Sequence, residues 1–235
     1  MMDEATRALV AVSAAIGADD RERLAQELDR AARAAEPGEV EEALLQSYLF
    51  VGFPGALNAL ALWRERTGLE ASGGAAGGDA SEWRRRGEAV CARVYGAQYG
   101  RLRERVAGLH PDLEAWMLEE GYGKVLGRPG LALGVRELCV VGTLVPQDAP
   151  AQLRSHLRGA LNVGVAVEDV EEALEIACRF AAPARAGTAR AVWAQVLERW
   201  RIRTAAAGGA EERTGETLTG EAGARSGQGS DRDVR

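Results

Sequence analysis

Scarcity bounds this chain more than abundance does. Among its 235 residues histidine occurs twice, lysine once and cysteine three times, and aromatic residues make up 5%. No apolar run reaches the roughly 18 residues of a membrane span, and no basic stretch followed by an apolar one opens the chain as a secretory leader would. The reading is a soluble, cytoplasmic protein with no membrane partner. Cys91, Cys139 and Cys178 are far apart, odd in number and set in apolar helical runs. That is the pattern of reduced, buried thiols rather than a disulfide framework. No metal-ligand cluster, phosphate-cradling glycine loop or hydrolase elbow occurs, and the glycines within 73–78 lack the flanking strand of a nucleotide loop. Neither metal nor cofactor is expected.

What is present points to helices. Hydrophobic residues make up 46% of the chain, and with so few aromatics the core must be built from Ala, Leu and Val. Such residues suit closely packed helices better than a sandwich of strands. A formal net charge of −6, with Arg and Glu interspersed, argues against nucleic acid as a partner. The preference for Arg over Lys is read as the base composition of a GC-rich bacterial genome. The length accommodates one large or two small domains.

The chain repeats itself. Sliding residues 7–35 forward by 129 positions sets Arg7 on Arg136, Leu9 on Leu138, Leu24 on Leu153 and Ala31 on Ala160. With one more residue in the later copy, Val40-Glu41-Glu42-Ala43-Leu44 falls on Val170-Glu171-Glu172-Ala173-Leu174, Phe50 on Phe180 and Trp63 on Trp193. An ancestral duplication explains this agreement. Apolar spacing predicts four helices per copy: near 3–16, 20–35, 38–51 and 54–67, then near 134–146, 150–163, 168–181 and 183–203. The first repeat is placed at 1–67, a flexible Gly/Ala/Ser linker at 68–81, a bridging segment at 82–133 and the second repeat at 134–203. The bridge is predicted as a long helix, Glu82 to Leu109, and a shorter one, Pro111 to Glu120. From 204 to 235 no apolar periodicity remains, and a disordered tail is expected.

One of the two histidines, His156, lies nineteen residues after Glu137, which opens an apolar helical run. Two packed helices bringing this carboxylate and imidazole together would make an acid/base pair, with the carboxylate favouring the charged ring. The other, His110, precedes Pro111 and reads as a helix-start residue.

The segment from Tyr122 to Phe180 resembles the carboxymuconolactone decarboxylase family, which includes the AhpD-type thiol peroxidases. The resemblance rests on Arg128-Pro129-Gly130-Leu131, on Arg136-Glu137-Leu138, on the run from Leu153 through His156 to Gly164, and on Asp169-Val170-Glu171-Glu172. It implies an all-α, AhpD-like fold of two tandem four-helix repeats and a homo-oligomer, a trimer before a dimer. Peroxidase members place two cysteines four and seven residues before the histidine. Here Gln152 and Ala149 stand there, so the thiolate and its resolving partner are missing.

The decarboxylase branch, which lacks those cysteines, implies cofactor-independent loss of carbon dioxide from a small carboxylated lactone. His156 would then be the proton donor and Glu137 its orienting carboxylate. Arg128 and Arg136 would hold substrate carboxylates in bidentate forks, although Arg7 persists opposite Arg136 and supports a structural ion pair instead. Tyr122 and Trp116 would wall a pocket. The first copy has Ala8 and Glu27 in place of Glu137 and His156, but it keeps Tyr48-Leu49-Phe50-Val51-Gly52-Phe53-Pro54 and Asn58, which resembles the family's closing segment. Gly52 and Pro54 are therefore expected to complete a composite site across the two copies. Two other readings stay open: a peroxidase-class relative without its sulfurs, and a non-catalytic binding or assembly protein of the same fold.

Overall fold

The computed structural model describes residues 1–71 and 78–221, with side chains to residue 206. Every regular element among them is helical. The chain divides into two units, Met1–Val196 and Leu197–Arg235. No single helix among the described residues is long and apolar enough to cross a membrane.

The first repeat comprises α1 (Glu4–Gly17), α2 (Arg21–Ala34), α3 (Pro37–Gln46) and α4 (Tyr48–Thr67). Asp3 caps α1 by accepting from the Thr6 amide at 2.7 Å, and Asp20 caps α2 through the Arg23 amide at 3.0 Å. α1 is apolar almost all round and is enclosed from Ala8 to Ile16, the mark of a central helix. α2 buries only Leu24, Glu27, Leu28 and Ala31, one face of an amphipathic helix. Between α3 and α4 the chain bends by 118°. The break expected between 51 and 54 is present at Gly52, whose φ of 72° and ψ of 174° are non-helical and part α4 into two stretches, and the bend at Ser47 is an additional one.

α5 (Ala80–Tyr95), α6 (Tyr99–Leu109) and α7 (Pro111–Trp116) form the bridge. The single long helix predicted from Glu82 to Leu109 is thus two helices. Gly96 takes φ 54° and ψ −131°, a backbone state open to glycine, and a short 3-10 turn follows. The helix predicted to end at Glu120 widens after Trp116 into a π-helical segment, Met117–Leu126. This segment and α5 meet backbone to backbone, since a Cβ on Gly87 would stand 1.9 Å from the Leu118 carbonyl oxygen.

The second repeat comprises α8 (Leu133–Leu144), α9 (Pro150–Asn162), α10 (Val167–Cys178) and α11 (Pro183–Glu221). α8 packs on α1 as its counterpart: Thr143 donates to the Ser13 carbonyl at 3.3 Å. The duplication shows in the backbone as well. Asp19 and Asp148, 129 positions apart, have φ of 54° and 55°. The core between the copies joins Leu9, Val12, Leu28, Leu44 and Trp63 to Cys139, and each fully buried Leu or Val there contributes about 1.5–3 kcal/mol.

In the unit Leu197–Arg235, the helix runs to Glu221, beyond the end near Arg203 expected from the sequence. The rest of the expected tail, 222–235, and residues 72–77 of the expected linker lie outside the described residues.

Candidate acid/base site

α8 presents two buried charged residues in succession, Arg136 and Glu137, each 0% exposed. Successive helical positions diverge by about 100°, so the two side chains serve different neighbours.

Arg136 turns to the first repeat. Its Nη2 lies 2.7 Å from Glu42 Oε2 and 3.2 Å from the carbonyls of Arg128 and Pro129. Its Nε donates to the Leu131 carbonyl and its Nη1 to Gln46 Oε1, both at 3.2 Å. Arg128 forks onto the same carboxylate, with Nε 2.9 Å from Oε2 and Nη2 2.8 Å from Oε1. Burial alone would push the Glu42 carboxyl up, but the two guanidiniums outweigh it and hold it below the usual range. The expectation that Arg128 and Arg136 hold substrate carboxylates is therefore corrected. Both are spent on an internal carboxylate, because an enclosed guanidinium requires internal partners.

Glu137 turns to α9, where its Oε2 lies 2.9 Å from His156 Nδ1. Gly159, one turn beyond His156, makes room for the carboxylate: a Cβ there would stand 2.7 Å from Oε2 and equally close to Val94 Cγ1. Oε1 is buried without a hydrogen-bond partner among the described residues. The surroundings come from the bridge. Burial, with the charge of Glu137 added, pushes the Cys91 thiol and the Tyr95 phenol each up to about 12. Burial likewise raises Tyr122 well above its ordinary range, and its ring meets Tyr95 edge to face at 6.0 Å.

His156 is 7% exposed. The Phe50 ring of the first repeat stands edge-on to it at 5.9 Å. An ionised Glu137 can only accept, which would make Nδ1 the donor and leave Nε2 as the ring nitrogen for a proton transfer. Phe50 also borders a cleft of about 660 Å³ lined by Ile16, Asp20, Pro54, Asn58 and Gln147, and the Gln147 amide donates to the Phe50 carbonyl at 2.9 Å.

Of the residues singled out from sequence, Glu137 and His156 are brought together and Tyr122 is packed against Tyr95 close to them. Pro54 lines the neighbouring cleft, and Gly52 shapes α4 by its kink. Trp116 is 61% exposed and walls none of the clefts described. His110 caps α7, its Nδ1 accepting from the Asp112 amide at 3.1 Å. Phe50, Tyr95 and Gly159 were given no role of their own from the sequence. Phe50 lay within the closing segment of the first copy, and Gly159 carried a signal as an isolated glycine inside a helix that marks close approach.

The remaining thiols are enclosed as well. Cys139 lies on the α1 side of α8, pushed up to about 11 by burial, with Ser13 opposing. No cluster of three or more ligating side chains capable of holding a metal occurs among the described residues.

Comparison with known proteins gives the site a context. Residues 111–195 match the carboxymuconolactone decarboxylase family. Over 145 residues the chain is 34% identical to Peroxisomal protein 2 of Schizosaccharomyces pombe, covering 59% of this chain and 66% of that protein. It is 36% identical over 80 residues to Peroxisomal protein 2 of Saccharomyces cerevisiae, 33% of this chain and 28% of that one. A nitrosuccinic acid decarboxylase of Metarhizium robertsii is 35% identical over 83 residues, 34% of this chain and 57% of the relative. The aligned part thus spans less than two thirds of each relative. All three are fungal, so the arginine bias gains no support as a bacterial trait. The matched region holds the whole of α8, α9 and α10, including Glu137 and His156, and it is this region of the chain that belongs to the carboxymuconolactone decarboxylase family.

Proposed function

We propose that this chain is a cofactor-independent acid/base enzyme that decarboxylates, or moves a proton on, a small carboxylated lactone. The observation that carries the reading is the buried Glu137–His156 pair at 2.9 Å. It is retained in one repeat and replaced by Ala8 and Glu27 in the other. Family membership alone does not give the reaction, but a relative named as the decarboxylase of a small carboxylic acid accords with it.

In the proposed reaction the bond between the ring carbon and its carboxylate breaks, carbon dioxide leaves, and the electron pair passes through the conjugated double bond onto the lactone carbonyl. The resulting enolate takes a proton on carbon from His156 Nε2. Glu137 orients the imidazole through Nδ1. The conjugated carbonyl is the electron sink, so the step needs no metal or organic cofactor. Phe50 walls the ring of His156, and Arg128 and Arg136 act as positioning residues that hold the start of α8 through Glu42.

The peroxidase-class reading is the weaker one, because Cys91 and Cys139 are enclosed and their thiols raised, whereas peroxide chemistry needs a thiolate. The reading also carries a homo-oligomer, a trimer before a dimer, which light scattering checks.

The test is carbon dioxide release from a panel of carboxylated lactones in deuterated water, with His156→Asn and Glu137→Gln beside the parent. One deuterium gained per carbon dioxide lost is expected, falling by about 10²–10⁴ in His156→Asn. No turnover of any lactone by the parent, or equal turnover by His156→Asn, would sink the proposal.

A further inference from the structure

The repeat that lacks the histidine has a cleft of its own. Under the 129-residue shift, Glu137, His156, Gly159 and Asn162 correspond to Ala8, Glu27, Arg30 and Arg33. In the second repeat α5 covers this face of α9: Val94 abuts Gly159, and the Asn162 amide donates to the Val94 carbonyl at 2.8 Å. The matching face of α2 borders instead a cleft of about 410 Å³, lined from α1, α2, α10 and the turn that follows α10. The duplication has thus left two equivalent faces in different states, one filled by the bridge and one open.

The open face has changed chemistry. Its lining carries Arg7, Arg23, Arg30, Arg33 and Arg179 against three glutamates, a surplus of two positive charges in a chain whose formal net charge is −6. Arg7 is spent on Glu172 at 2.6 Å and Arg30 on Glu27 at 2.8 Å. Arg23 donates one N–H to the Arg179 carbonyl at 2.9 Å, and its guanidinium carbon lies 4.2 Å from the centre of the Phe180 ring. Arg33 and Arg179 are exposed; the carboxylates in their electrostatic reach, Asp29 and Glu175, are bonded to Arg66 and Arg190. Beneath these charges the lining is apolar, from Ala8, Ala11, Ile176 and Phe180. Guanidiniums around an apolar floor suit a ligand that is anionic at its edges and hydrocarbon in its body.

We propose that this cleft is a second ligand site, for a small organic dicarboxylate with a flat apolar body, held by Arg33 and Arg179 beside Arg23, whose guanidinium already lies over the Phe180 ring. It stands apart from the Glu137–His156 pair and does not depend on the reaction proposed there.

Calorimetric titration of the full chain with phthalate tests it, with inorganic phosphate as the bare dianion and phthalamide as the neutral analogue. Saturable phthalate binding is expected, weakened by rising salt and absent for phthalamide. His156→Asn is expected to keep it. The doubly substituted Arg33→Gln/Arg179→Gln chain, altered only at exposed positions, should lose at least about tenfold for each charged hydrogen bond removed. Phosphate binding as tightly as phthalate would overturn the dicarboxylate assignment. So would the absence of saturable binding, or binding that His156→Asn removes and the double substitution leaves intact. A double variant that changed oligomeric mass while the parent bound no phthalate would mark the cleft as a contact between copies and overturn the site as well.

Discussion

Arg136 bonds Glu42 across the repeat boundary at 2.7 Å, and its counterpart Arg7 bonds Glu172 in the opposite direction at 2.6 Å. The arginine of each copy is satisfied by the glutamate of the other, so the two repeats clasp each other reciprocally about the α1–α8 contact. The two pairs differ in burial. Arg136 is fully enclosed, with Glu42 14% exposed, whereas Arg7 and Glu172 are each about a third exposed.

Removing one partner of the enclosed pair should therefore cost much more. Glu42→Gln leaves Arg136 buried and uncompensated and is expected to lower unfolding stability by about 3–5 kcal/mol. Arg7→Gln should change it far less, because solvent screens that pair. Urea unfolding of both variants checks this, and equal losses would refute the distinction.

Acid should act through the same carboxylate. The folded-state pKa of Glu42 is depressed, so its stabilising contribution is complete above its unfolded value of about 4.3. It is lost as pH falls through the lower folded value. Unfolding free energy measured from pH 6 down to 2 should drop steeply below about pH 4.3 in the parent and more shallowly in Glu42→Gln. Parallel profiles would show that other carboxylates dominate.

Gly159→Ala should be destabilising even though alanine is the better helix former by about 1 kcal/mol. The added methyl meets both Glu137 Oε2 and Val94 at 2.7 Å, an overpacking expected to cost about 1–3 kcal/mol. The His156 ring resonance should shift with it in a ¹H–¹⁵N spectrum. An unshifted ring in a variant as stable as the parent would mean the carboxylate does not need that space.

Cys91 and Cys139, with thiols pushed up to about 12 and about 11, should resist iodoacetamide at pH 8 in the folded protein and react at once in denaturant. Mass spectrometry of the peptides reads this out. Rapid modification of either thiol in the folded state would revive the thiol-based reading.

Much of this was legible in the chain. Helices and the duplication follow from apolar spacing and self-similarity, which are local or periodic properties. The pairing of Glu137 with His156 was legible too, because it joins neighbouring helices of one repeat. The break at Gly96 was not, since a helix-compatible run hides one glycine whose positive φ is selected by packing. The role of Arg128 was hidden for another reason: its partner Glu42 lies 86 positions away.

The sequence by itself determined the helical class, the twofold repetition and which copy retains Glu137 and His156, because composition and period need no knowledge of distant contacts. Only the tertiary structure decided where the arginines point, that Phe50 of one copy stands beside His156 of the other, and that the bridge covers one of two equivalent faces and leaves the other open. Those outcomes depend on how separate helices share space, and each buried charge selects its partner by proximity after the chain has packed.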